Sequence, residues 1–195
     1  MASNNGLLVI MSAPSGCGKD TVFKELVKKR DDVVESVSAT TRKPREGEVD
    51  GVNYFFLTKD KFEKMIKNNG FLEYANYNGN YYGTPVKGVQ KAIEEGKVCF
   101  LIIEVQGAQK VMKMFPDNCV SIFLLPPSLD VLEQRLRKRD SDGEEMIKQR
   151  LDIANIEMSY KDKYTYQIVN DDIDVCVNDI DKIISQELDK RKSIN

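Results

Sequence analysis

The chain contains no histidine in its 195 residues. That removes Ser-His-Asp and Cys-His nucleophile systems and the HExxH zinc site, so any chemistry here proceeds without imidazole. Cysteine is scarce too: Cys17, Cys99, Cys119 and Cys176 form no close pair and no metal-type spacing. Three of them sit in apolar runs and read as small core residues, so a reduced, cytoplasmic protein is the expectation. An excess of either charge is missing as well. Lys and Arg number 29 against 31 Asp and Glu, a net charge of −2, which gives no chain-wide field for nucleic acid. Long hydrophobic runs are also lacking: "MASNNG" leads into only seven mostly apolar residues, too few for a signal or membrane segment. No nucleic acid, membrane or obligatory protein partner is therefore expected, and no internal repeat or low-complexity linker divides the chain.

What is present is an alternation. "LLVIMSA" (7–13) is a continuous apolar run, as a central parallel strand covered on both faces would carry. After it, Val22, Phe23, Leu26 and Val27 recur at helical spacing. Further strands are expected over 33–38, 97–105, 120–125 and 166–169. Helices are expected over 85–95 (opened by Thr84 and Pro85), 106–114, 128–139 (opened by Ser128), 143–161 and 173–191. Apolar strands alternating with helices indicate an α/β fold, a parallel sheet flanked by helices.

Two stretches break the alternation. Residues 38–84 hold a basic loop, the short strand "YFFL", a helix capped by Thr58 and a hairpin around Asn78-Gly79. Residues 129–153 are densely charged. Both read as lobes inserted over the strand ends, where open α/β sheets bind ligands. The core is then 1–37, 85–128 and 154–195.

"SAPSGCGKDT" (12–21) joins the first strand to the first helix, the context a phosphate-binding loop requires. Gly16 and Gly18 let backbone N–H groups turn toward phosphate oxygens, the helix N-terminus adds partial positive charge, and Lys19 reaches the β- and γ-phosphates. Ala13 stands where such loops usually have their first glycine, and Asp20 where they have a serine or threonine. Asp20 thus removes the hydroxyl that commonly ligates Mg²⁺. Either its carboxylate ligates the ion, or phosphates and water hold it with Thr21 as the remaining hydroxyl. The helix N-terminus would also lower the Cys17 pKa, although a small loop residue is the plainer reading.

Arg42 and Arg45, spaced around Pro44 and beside Ser38, Thr40 and Thr41, suit bidentate capture of a second phosphate. At this point the chain resembles a known family. Residues 12–21, "TTRKPREGEVDGVNYFF", "FLEYANYNGNYYGTP", "IEVQGAQKV" and "FLLPPS" are similar to guanylate kinases, in order and spacing, over roughly residues 6–190. The resemblance implies a P-loop NTPase-type core with a GMP-binding lobe (38–84) and a helical lid (129–153). It implies transfer of the γ-phosphoryl group of ATP to GMP or dGMP, with Mg²⁺. By motif, Arg42, Arg45, Tyr54 and Tyr82 hold the GMP phosphate, while Ser38, Glu73, Thr84 and Glu104 read guanine. A carboxylate suits that reading, because it accepts from guanine N1–H and N2–H₂, which adenine lacks. The ATP site would comprise Ala13, Pro14, Ser15, Gly16, Cys17, Gly18, Lys19, Asp20 and Thr21. Lid arginines Arg135, Arg139 and Arg150 would face the donor phosphates, with Asn170 and Asp171 near the adenine. Lys19, Arg42, Arg135 and Arg150 would surround the transferring group.

The sequence departs from the family in two further places. The family often carries an acid where Ile102 stands, and "DSDGEE" replaces the usual glycine-threonine of the lid loop. A kinase for AMP or UMP is disfavoured by Glu73 and the tyrosine-rich hairpin. A non-catalytic interaction domain is disfavoured by the intact Gly16, Gly18 and Lys19, and a GTPase by the lack of an NKxD-type base motif.

Overall fold

The first strand, β1 (Leu7–Ser12), is buried at every residue and forms the middle of a five-stranded sheet. In the computed structural model, which describes residues 6–116, 118–138 and 143–194, that sheet runs β2-β7-β1-β8-β9. The partners are β2 (Val33–Glu35), β7 (Val98–Ile102), β8 (Cys119–Leu125) and β9 (Tyr166–Val169), and all the pairings are parallel.

Alternation along β1 explains its unbroken apolar run. Leu7, Val9 and Met11 face α1 (Lys19–Lys29) and α7 (Ile173–Ile194), packing with Val22, Phe23, Leu26, Cys176 and Ile180. Leu8 and Ile10 face the opposite way, toward Val89 of α3 (Val86–Glu94) and Val105, Ala108 and Val111 of α4 (Val105–Met114). Water reaches neither face, so the strand is apolar up to Ser12, whose buried hydroxyl is hydrogen-bonded.

Residues 38–84 build a separate four-stranded sheet in the order β4-β3-β6-β5. Its strands are β3 (Ala39–Thr40), β4 (Phe55–Phe56), β5 (Phe71–Tyr77) and β6 (Asn80–Pro85). Phe62 of α2 (Lys59–Lys67) is fully buried against it, stacked on Phe71 at 4.2 Å and on Tyr81 at 5.2 Å between ring centroids. Thr58 caps α2 by accepting from the Lys61 amide, and the Asn78-Gly79 hairpin turns with both residues at positive φ. A fourth cluster joins α5 (Leu129–Arg137) and α6 (Glu144–Met158) through Leu132, Leu136, Leu151 and Ala154, and Ser128 caps α5.

Several boundaries differ from those expected. The strand expected over 97–105 stops at Ile102, because Ile103 and Glu104 turn the chain into α4 with Glu104 as its N-cap. The strand expected over 33–38 is three residues long. Thr84 does not open α3: it lies in β6 and spends its hydroxyl on Glu73, leaving Pro85 at the N-cap.

Candidate active site

The phosphate loop sits at the carboxyl end of the central strand, where α1 begins. Gly16 and Gly18 take φ of +89° and +93°, and a Cβ on Gly18 would come within 2.9 Å of the Asn170 amide nitrogen. Gly18 is the N-cap of α1, and no side chain caps the helix there. Lys19 folds back so that its Nζ donates to the Ala13 carbonyl at 2.7 Å.

Three side chains from distant segments brace the loop. Asn170 is buried and donates through Nδ2 to the Cys17 carbonyl at 2.7 Å. Arg135 of α5 donates to the Asn170 carbonyl at 3.0 Å, which brings an arginine of the charged 129–153 segment to the residue that braces the loop. Glu157, near the end of α6, accepts from the Ser15 amide at 3.2 Å. Asp171 is exposed, and the Asn170 side chain is turned to the loop. Arg150 lies half-buried on α6, seven residues before Glu157, while Arg139 falls outside the described residues.

The thiol of Cys17 follows the plainer of its two readings, a small packed residue, and its pKa is not lowered. Its residue is fully buried and its Sγ approaches the Leu124 carbonyl at 3.6 Å. Burial pushes its pKa up to about 11, outweighing the lowering by Lys19 and Arg135. Cys17 is a packed thiol and not a reactive one.

Across the cleft, a cavity of about 350 Å³ lies between the second sheet and the segment after β7. Ser38, Tyr54, Glu73, Tyr82 and Glu104 line it together with Gly107. Glu73 accepts from the Thr84 hydroxyl at 2.7 Å, so Thr84 joins the site through its neighbour. Burial raises the Glu73 pKa, and Glu104 adds to the rise. The Thr84 hydrogen bond and the Lys110 charge oppose it. Glu104 makes no side-chain cap on α4. Ser12 Oγ donates to the Ile103 carbonyl at 2.7 Å, tying the strand that enters the phosphate loop to the segment that lines this cavity.

Arg42 is held as a fork. Its Nη1 and Nη2 each lie 2.9 Å from the Glu48 carboxylate, which also accepts from the Arg45 amide at 2.7 Å. Arg42 lies over the Tyr54 ring at 5.5 Å, and Tyr54 meets Tyr82 edge-on at 6.1 Å. The Arg42 hydrogen bond holds the Glu48 carboxyl down at about 2. Neither Arg42 nor Arg45 lines the cavity, and Arg45 is exposed.

Asp20 and Thr21 lie exposed in the first turn of α1. Among the described residues no three His, Cys, Asp or Glu side chains gather as a metal site. One carboxylate and one hydroxyl beside a phosphate loop fit an ion such as Mg²⁺, which keeps much of its water and binds through nucleotide phosphates.

Glu48, Gly107, Lys110 and Glu157 escaped the sequence reading. The first three offered no periodic signal. Glu157 did: it follows Ile147, Arg150, Leu151 and Ala154 on the covered face of α6, where an apolar residue would be the usual occupant.

A phosphate loop heading a parallel sheet, with a second small sheet and its acid-lined cavity inserted beside it, is the architecture of a P-loop phosphotransferase. A family model described as guanylate kinase matches residues 5–187. A guanylate kinase of Carboxydothermus hydrogenoformans is 46% identical over 98% of this chain and 94% of its own length. One of Bacillus cereus is 48% identical over 100% of this chain and 95% of its own. The crystal structure of guanylate kinase from Anaplasma phagocytophilum superimposes with a TM-score of 0.74 at 34% identity, covering 94% of this chain and 86% of that one. The chain belongs to the guanylate kinase family, whose members phosphorylate GMP with ATP. Among the described residues no helix is long and apolar enough to cross a membrane.

Proposed function

We propose that GMP occupies the cavity beside Glu73 and that ATP occupies the phosphate loop opposite. Ser38, Glu73, Thr84 and Glu104 read the base, and Arg42, Arg45, Tyr54 and Tyr82 take its phosphate. Residues 13–21 hold the donor phosphates, with Arg135, Arg139 and Arg150 from the lid (129–153) and Asn170 and Asp171 toward the adenine. The observation that carries this reading is the cavity itself, in which the Glu73 carboxylate and two tyrosines converge below the Arg42 fork.

The acceptor is a phosphate oxygen, largely ionised near neutral pH because a phosphomonoester's second pKa is about 6. It attacks the γ-phosphorus as the bond to the β–γ bridging oxygen breaks, and ADP leaves with that electron pair. No general base is required, which suits a chain without histidine. The protein supplies position and positive charge. Lys19 must leave the Ala13 carbonyl to reach the phosphates, and Arg42 must share or exchange its fork with Glu48. Mg²⁺, held by the phosphates and water with Asp20 or Thr21 beside it, would neutralise charge on the β- and γ-oxygens.

One coupled assay offering ATP with GMP, dGMP, AMP and UMP tests the reading. Turnover is expected with GMP and dGMP, and equal rates with AMP or UMP would overturn the base assignment. Lys19→Ala should lower kcat about 10²–10³-fold while GMP binding holds, since its charge acts on the transferring group. Near wild-type turnover would sink the phosphate-loop assignment.

A further inference from the structure

Glu157 is the one acid or base in the buried polar set among the described residues; it is 9% exposed. Burying a carboxylate is costly unless it is paired and hydrogen-bonded. Its Oε2 accepts from the Ser15 amide, 142 residues away in sequence. Burial raises its pKa, and the charge of Lys19 and the Ser15 N–H oppose that rise. The carboxylate thus lies against the phosphate loop from outside, within reach of the lysine's field.

Its position on α6 extends the consequence. Arg150 and Glu157 are seven residues apart, two helical turns, and so project from one face. The helix packs on α5, which carries Arg135, through Leu132, Leu136 and Ala154. A contact at the end of α6 therefore sets the height and rotation of the helix that carries one lid arginine and supports another. A surface carboxylate could not do this. One anchored to a backbone amide of the loop can.

We propose that Glu157 is a positioning residue of the donor site: by accepting from Ser15 it holds the phosphate loop in shape and registers the lid helix, with Arg150, to that loop. This rests on the assignment of the loop to ATP. Glu157 is bound to the backbone of the loop and is not among the residues that line the cavity beside Glu73, so its effect falls on donor use and not on acceptor binding.

The test compares Glu157→Ala with Glu157→Gln, whose amide oxygen can still accept from Ser15. In Glu157→Ala, kcat/KM for ATP should fall roughly 5- to 150-fold, the range an unpaired buried amide carries. The GMP Kd by calorimetry should stay within about twofold. Glu157→Gln should recover donor kcat/KM to within a few-fold of wild type. Hydrogen exchange at the Ser15 amide should quicken in Glu157→Ala and remain slow in Glu157→Gln, a readout independent of turnover. If Glu157→Ala fails to fold, Glu157→Gln and its Ser15 exchange rate decide. A folded Glu157→Gln as impaired as Glu157→Ala, equal losses for ATP and GMP, or unchanged donor kinetics in Glu157→Ala would each overturn the proposal. A wild-type enzyme inactive on ATP with GMP would instead overturn the functional reading, a separate outcome.

Discussion

In the proposed role Glu73 has to stay ionised in a half-buried cavity to accept from guanine, and its surroundings pull both ways. Burial and Glu104 push its pKa up, while Thr84 and Lys110 restrain the rise. Below that raised pKa the carboxyl is protonated and presents a donor to guanine donors. The KM for GMP should therefore climb as pH falls, beginning above the ordinary glutamate value of about 4.3. Lys110→Ala removes a restraining charge and should move that acid limb to higher pH; a pH profile of kcat/KM for GMP with no shift would show that Lys110 does not act on Glu73. The stability sign is opposite to that of a salt-bridged acid. A raised carboxyl favours the folded state most when protonated, and this contribution is lost as pH climbs from the unfolded to the folded pKa. Glu73→Gln should accordingly leave the Tm at pH 7 unreduced. It should also lower the ratio of kcat/KM for GMP over AMP by roughly 5- to 150-fold, because one acceptor oxygen becomes a donor. An unchanged ratio with a lower Tm would make Glu73 a structural acid.

Helix α4 shows how much an element's role depends on one missing carbon. A Cβ on Gly107 would lie 2.8 Å from Glu73 Oε2, so this helix can pass the Glu73 carboxylate only without a side chain there. Alanine favours a helix interior over glycine by about 1 kcal/mol. Gly107→Ala should then hold or raise the Tm while raising the KM for GMP several-fold; a lower Tm with unchanged KM would assign the glycine to folding alone. This dependence was not legible in the sequence, where "VQGAQKV" offers only a glycine in a helical pattern. Glu48 and Lys110 were hidden for the same reason: each acquires meaning from a partner brought near by the fold. What was legible is local or periodic. The buried run of β1, the phosphate loop, the Thr58 and Ser128 caps and the Asn-Gly turn each follow from adjacent residues. Strand ends were read less well, because Ile103 is apolar enough to prolong β7 yet lies in the turn that positions Glu104.

The base cavity and the phosphate loop are built on different sheets, joined through the segment where Ser12 meets Ile103. Closing the GMP lobe and the lid over both nucleotides should shrink the molecule and exclude water from the acceptor's place. Small-angle scattering should give a smaller radius of gyration with a bisubstrate analogue than without. An unchanged radius, with binding confirmed by calorimetry, would mean a rigid, preformed site. The strand order β2-β7-β1-β8-β9 has a further consequence, in time and not in space. β1 is made first, but the strands that flank it, β7 and β8, are complete only at Ile102 and Leu125. At about 5–20 residues per second, a nascent chain waits on the order of six to twenty seconds before its central strand can be enclosed on both edges. Until Ile102 is made "LLVIMS" has neither native edge paired, and until Leu125 it has only one. The segment that ends in the phosphate loop is therefore the one most exposed to misassembly, and a ribosome stalled before Leu125 should yield a chaperone-bound product with no affinity for ATP.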